Sequence, residues 1–395
     1  MARPPSLWIA LGLAIGPAVS NGIGRFAYAL ILPAMREDLA WTYTQAGWVN
    51  TANALGYLVG ALLVLALVRR TGARLLFDLG MLMTGVTLLA SGLVRDDLVL
   101  LGLRLVTGVG GALAFIGGGA LVTGLYAEHP ERAPASIALY YAGGGAGILV
   151  TGVALPWLFA LRGVRAWTEA WIGLGLLSLA LTVPSLAASA RVPPAPVVAS
   201  STPWDKRPLL VSLVGYFLFA IGSIVYMTFI IAWMRGRGAG ASEVSLVWGA
   251  LGAAILLSPI WWRAPLARWS GGWPLAASIA ACAVGAGLPL VLTSFPAMLA
   301  SALIFGSAFF IPPAAVTALS RRALPRSAWG AAIAGYTVVF GVGQPIGPLL
   351  AGAVADRTGT LFAGLATSVA VLALGALVSA LQRPVATRAD GRRSP

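Results

Sequence analysis

The sequence predicts an all-α membrane protein with twelve transmembrane helices in two pseudo-symmetric six-helix bundles. Three observations carry this. Of 395 residues, 59% are hydrophobic and only 10% charged, where soluble domains average about 25% charged. The apolar residues fall into twelve runs near the ~20 residues needed to cross a hydrocarbon core. The second six runs repeat the first at an offset of 198, which lays GIGRFAYALILPAM over AIGSIVYMTFIIAW. That offset places Gly24 on Gly222, Tyr28 on Tyr226, Ala34 on Ala232 and, in a later loop, Arg70 on Arg268.

Gly, Pro and charge bound each run. The first, 7–35, starts like a cleaved signal peptide, with Arg3, an apolar stretch and Ala18-Val19-Ser20. Its hydrophobicity continues to Met35, so it reads as a retained helix. The second, 44–68, stops at Arg69-Arg70, and the third, 75–94, lies between Arg74 and Arg95. The fourth, 98–126, follows Asp96-Asp97; the fifth, 136–160, precedes Arg162; the sixth, 168–188, precedes Arg191. RVPPAPVVASSTPWDKRP then fills 191–208, where prolines forbid helix and favour a semi-rigid extended linker. The seventh run, 209–234, reaches Arg235, and the eighth, 243–262, reaches Arg263. The ninth, 273–292, opens after Gly271-Gly272, and the tenth, 296–319, ends before Arg321-Arg322. The eleventh, 329–355, closes at Asp356-Arg357, which read as a local surface pair, and the twelfth spans 361–381. The chain thus divides into a bundle over 1–190, the linker 191–208, a bundle over 209–381 and a basic tail over 382–395. Pro312-Pro313 and Gln344-Pro345 predict kinks in the tenth and eleventh runs, because proline removes a donor and clashes one turn back.

Net charge is +14, which in a soluble protein would suggest nucleic acid. Its distribution points to topology instead. Arg69, Arg70, Arg74, Arg191, Lys206, Arg207, Arg263, Arg268, Arg321, Arg322 and the tail arginines share one side of the alternating loops. Arg36, Arg95, Arg162, Arg165, Arg235, Arg237 and Arg357 are fewer on the other. By the positive-inside rule both termini are cytoplasmic, and no nucleic-acid partner is expected. One cysteine, Cys282, and one histidine, His129, exclude disulfides and the usual zinc or haem sites. No cofactor, metal or catalytic residue is expected, because no Ser-His-Asp set or cysteine cluster occurs. The glycine runs at 108–111, 117–119 and 143–147 lie inside apolar helices, where they read as close helix packing and not as phosphate loops.

Two charges remain inside the runs, Arg25 and Arg104. An arginine at bilayer depth costs ~2.5–3.5 kcal/mol or more, so something must offset it. Either it bonds carbonyls of neighbouring helices, or it docks an anionic solute. Residues three and four apart share a helix face, so Asn21, Arg25 and Tyr28 form one polar stripe, Asn50, Asn53 and Tyr57 a second, and Arg104, Thr107 and Gly111 a third. Two arginines at similar depth can grip a carboxylate or phosphate through forked donors. The second half adds aromatic surface (Tyr216, Phe219, Tyr226, Phe305, Phe309, Tyr336, Phe340) and the amide of Gln344. Parallel six-helix repeats belong to carriers that hold their solute at the midplane between halves. The candidate binding residues are therefore Arg25, Tyr28, Asn21, Asn53, Arg104, Tyr226 and Gln344. A proton-carrying carboxylate has few candidates, Asp78 and Glu169, and both sit near span ends.

The two halves, central linker and cytoplasmic termini resemble the major facilitator superfamily. RRTGAR, Arg69 to Arg74, is similar to that family's loop between helices two and three, usually D-R-x-G-R-R. Arg70 and Gly72 match and Arg74 falls on the last arginine, while Arg69 replaces the aspartate and Ala73 an arginine. RLVTGVGGA resembles the fourth-helix pattern, and YAGGGAGILVTG the glycine-rich fifth helix without its Gly-Pro pair. GIGRFAY, NALGYLVGALL and GQPIGPLLAGAVADRTG resemble the bacterial YbfB/YjiJ-type group more narrowly. The resemblance implies a monomeric bacterial inner-membrane secondary transporter with a gating loop at Arg70, Gly72 and Arg74. It works by alternating access on a small solute, here an organic anion with an apolar body, with proton coupling open as symport or exchange. Export of hydrophobic drugs or metabolites by proton antiport is the alternative.

Overall fold

In the computed structural model, which describes residues 7–125, 133–193, 205–325 and 328–385, the first apolar run folds as three pieces. Helix α1 covers Leu7–Pro17, a π-helical segment Ala18–Phe26, and α2 Tyr28–Asp38. A π-helix bonds each N–H five residues back, as Ala27 N donates to Gly22 O at 3.1 Å, and runs this long are rare. The next helix, α3, spans Tyr43–Ser91 and covers both the second and third predicted runs. It starts on a capping box in which Thr42 and Gln45 satisfy each other's backbone N–H groups. A straight helix of 49 residues would be about 74 Å long, far beyond the ~30 Å hydrocarbon core. Instead Gly72, at φ 78 and ψ 156, turns the chain back. Gly60 on one arm approaches Val109, and Gly80 on the other approaches Gly110, so both arms lie along α4, Asp97–Leu125.

Only glycine tolerates the Gly72 dihedrals, and nothing lies within 4 Å of where its Cβ would stand. Gly72→Ala therefore tests backbone conformation without steric clash. It should lower stability by about 1–3 kcal/mol, read as a drop in apparent melting temperature of the purified protein.

The remaining helices are α5 (Ala133–Arg162), α6 (Trp167–Ser189), α7 (Leu210–Gly236), α8 (Ala241–Arg268), α9 (Trp273–Val291), α10 (Phe295–Phe309), α11 (Ile311–Ala323), α12 (Trp329–Gly343), α13 (Ile346–Thr358) and α14 (Leu361–Ala380). Among the described residues, eleven helical stretches are long and apolar enough to cross a membrane, the doubled-back α3 counting as one. This is an all-α multi-pass membrane protein. Most of the expected linker 191–208 and of the tail 382–395 lies outside the described residues, as does His129.

The prolines act partly as expected. The eleventh run breaks at Gln344-Pro345, between α12 and α13. The tenth breaks at Phe310, just before Pro312-Pro313, which occupy the first turn of α11. A first-turn proline has no helical bond to lose, so these two start a helix where a kink within one was expected. The glycine runs serve packing. A Cβ on Gly22 would stand 2.8 Å from the Gly144 carbonyl oxygen, and one on Gly145 2.8 Å from that of Gly252. The two stretches related by the internal offset are also buried almost without interruption, Val19 to Leu32 and Phe219 to Met234. They pack against each other through α2 and α7.

Candidate functional site

Arg25 sits on the π-helical segment, where Gly22 lets the backbone press against α5 and Gly24 makes room for Thr84 of α3. Its side chain is 5% exposed and reaches the other half of the chain, where Nη2 donates to Gln344 Oε1. The guanidinium lies 5.4 Å from the ring of Tyr57 and 5.6 Å from that of Phe26, which supplies cation–π attraction in place of water. Gln344 occupies the break between α12 and α13, and its Nε2 has no partner among the described residues. The adjacent Pro345 carbonyl accepts from Thr51 Oγ1 at 2.8 Å, which ties the broken helix to α3. Three discontinuities therefore converge. The π segment meets the α12–α13 break through Arg25, and it meets the end of α10 through Phe26 and Phe309, whose centroids are 5.6 Å apart.

Arg104 is 1% exposed and lies in a neighbouring layer. Its guanidinium stands 4.9 Å from Trp171 and 5.8 Å from Tyr28. Among the described residues Nε, Nη1 and Nη2 have no hydrogen-bond partner. No described acidic side chain pairs with Arg25 or Arg104. A buried cation without a counter-charge is costly, and among the described residues Gln344 and the aromatic faces offset it.

The predicted residues fall into separate groups. Arg25 and Gln344 meet across the halves, with Tyr57 beside them. Tyr28 turns away from Arg25, donating to Ala46 O at 2.7 Å and stacking on Trp171, so the expected Asn21–Arg25–Tyr28 stripe is split. The π winding is the reason, because an i, i+4, i+7 face assumes 3.6 residues per turn. Asn21 is buried on the same segment at 5% exposure. Asn53 Nδ2 donates to the Arg104 carbonyl at 3.2 Å, and Asn50 Nδ2 to Thr228 Oγ1 in the opposite half at 2.5 Å. Tyr226 is not brought to Arg25. Its hydroxyl pairs with Ser301 Oγ at 2.7 Å and its ring stacks on Phe305 at 4.0 Å, inside the C-terminal half. Arg70 and Arg74 are exposed at the Gly72 turn, and Arg74 Nε lies 3.6 Å from Asp78.

The carboxylate candidates have local partners. Asp78 also accepts from Ser189 Oγ at 2.7 Å, and Glu169 pairs with Arg162 at 3.1 Å on an exposed surface. Asp356 corrects the sequence reading, since it does not pair with Arg357. It accepts from Tyr43 N at 2.9 Å, Thr44 N at 2.8 Å and Thr44 Oγ1 at 2.5 Å. A carboxylate from α13 thus caps the N-terminus of α3, where unpaired N–H groups favour negative charge, and joins the two halves at the end opposite Arg70. Sequence reasoning missed this cap, the π segment and Trp171. Nothing in the sequence around Asp356 indicates a partner more than three hundred residues away.

The family model described as "Uncharacterised MFS-type transporter YbfB" matches residues 17–380. No curated protein matches the chain. Among solved structures, the chain is similar to a bacterial homologue of the human lysosomal transporter Spinster in an inward-facing, occupied conformation. That likeness has 15% identity and a TM-score of 0.77, covering 96% of this chain and 97% of the other. A D-xylose–proton symporter gives 13% identity and 0.75, covering 96% and 97%. The nucleoside transporter NupG gives 15% and 0.69, covering 94% and 96%.

Proposed function

Because the chain belongs to the YbfB-type family of major facilitator transporters, and so is a secondary carrier moving small molecules across a bilayer by alternating access, we propose that its substrate is an organic anion. One observation carries this reading: two buried guanidinium groups, Arg25 at the meeting of three helix breaks and Arg104 against Tyr28 and Trp171, with no described acidic side chain to neutralise them. A carboxylate accepts the forked donors of an arginine better than an amide oxygen does, so the anionic head displaces Gln344 Oε1 from Arg25 and brings Arg104 its missing acceptor. Asn21 and Asn53 border the same layer, while Tyr28 orients Arg104 through the shared aromatic contact. Helix breaks at carrier midplanes expose backbone to solutes in this manner.

In this reading α3 counts twice, for twelve passes in two six-helix bundles joined by 191–208. The carrier is a monomer of the bacterial inner membrane with both termini cytoplasmic, since the arginine-rich loops, including the gating turn Arg70–Gly72–Arg74, lie on that side. Among the described residues the central region offers no carboxylate for proton relay, so a coupled proton travels on the acid itself. Export of hydrophobic drugs draws on the aromatic walls, and it requires Arg25 to be a structural tie to Gln344 and nothing more. A thermal-shift screen of the detergent-purified carrier against small carboxylates, phosphates, cations, sugars and drugs separates the two, because a ligand selective for the folded state raises apparent stability. Organic anions should raise the melting temperature; stabilisation by neutral or cationic compounds alone would overturn the reading.

A further inference from the structure

Two lines of aromatic rings leave the Arg25 guanidinium. On the N-terminal half, Tyr57 is 6.4 Å from Phe115, which is 5.4 Å from Tyr141. The other line starts at Phe26 and crosses to the C-terminal half through Phe309 and Phe219 to Phe340, with centroid steps of 5.6, 6.3 and 5.9 Å. Both lines run toward the end that carries Arg70, since Phe115 lies beyond Arg104 on α4 and Phe340 one turn before Gln344 on α12. The two lines also face each other. Gly341, beside Phe340, packs on Leu58, beside Tyr57.

Burial separates wall from core. Phe219 and Phe309 are packed away at 1% and 4% exposure, whereas Tyr57, Phe115 and Phe340 are half-buried and Tyr141 is 42% exposed. The half-buried Tyr57 lies 5.4 Å from the Arg25 guanidinium, which meets its partner Gln344 across the halves.

We infer that the anion's body is a flat aromatic ring system, held between Tyr57 and Phe340 while its carboxylate engages Arg25, and that these two residues select aryl over saturated acids. The inference rests on the anion reading above and adds a substrate class to it. Ring faces and edges attract one another beyond simple area burial. Apolar area alone would favour the saturated analogue, which is bulkier and more hydrophobic. The two contributions therefore predict opposite preferences.

Isothermal titration of the full-length detergent-purified carrier with 2-naphthoate, decalin-2-carboxylate and naphthalene-2-carboxamide tests this. Naphthoate should bind roughly tenfold more tightly than the decalin acid. Tyr57→Leu and Phe340→Leu should each bring the two acids within about twofold while the decalin acid still binds. Equal affinity of the two acids for the unmodified protein would overturn this inference and leave the anion reading standing. Binding of the carboxamide as tight as that of naphthoate, or of neither acid, would overturn both.

Discussion

Arg25→Gln should abolish organic-anion uptake and anion-dependent thermal stabilisation while the amount of folded carrier in the membrane stays close to normal. The guanidinium is the only charged group in direct contact across the halves at the π segment. Removing one partner of a buried charge-assisted contact typically costs 2–5 kcal/mol, so affinity should fall roughly 30-fold or more. The fold should tolerate the change, because the substituted side chain replaces a buried charge with a neutral amide and lowers the desolvation burden. Arg25→Lys keeps the charge but loses the fork and should fall between the two. Uptake in reconstituted vesicles, normalised to protein detected by immunoblot, checks this. Loss of activity only in step with loss of protein would make Arg25 a structural tie, and the anion assignment would go with it.

Asp356→Ala should release the closed end of the carrier. The side chain holds three donors of the first turn of α3, two of them backbone N–H groups. Capping and dipole interactions of this kind at an exposed site are worth about 1–2 kcal/mol together. If the cap exists only while that end is shut, its loss shifts the balance between the two access states by roughly 5- to 30-fold. Spin labels at Glu37 and Thr293, both exposed at the Asp356 end, would report the shift as a larger population of long distances. The single native Cys282 is buried, so labelling goes to the introduced cysteines. Asp356→Asn keeps one acceptor oxygen and should show a smaller shift. An unchanged distance distribution in the alanine variant would mean that helix packing alone seals this end.

Much of the architecture was legible because the bilayer imposes it. Runs of apolar residues must become helices, since no water is present to satisfy a bare backbone, and the ends of α4 through α9 fall within a few residues of the runs read from hydropathy. Gly72 was marked as a loop residue by its neighbours Arg70 and Arg74, and its dihedrals explain why glycine stands there. The site was legible only in part. Arg25 and Arg104 stood out because charge is rare in such runs, and Gln344 because it precedes a proline. Tyr226 was placed in the site as a polar-capable ring near glycine, but its hydroxyl found Ser301 inside its own half. Periodicity gives the face of a helix without saying what that face meets.

The amino-acid order by itself determined the membrane class, the limits of most spans and the presence of two cations inside apolar runs, all of which follow from transfer free energies of single residues. Only the tertiary structure decided that Arg25 leaves the Tyr28 face for Gln344, that Arg104 stays with Trp171 and Tyr28, and that Asp356 bonds Thr44 across the two halves. These are pairings over long sequence separations. They depend on a π-helical segment packed on the glycines of α5 and on helix breaks beside Pro312 and Pro345, and a proline marks a break without saying what the broken end meets.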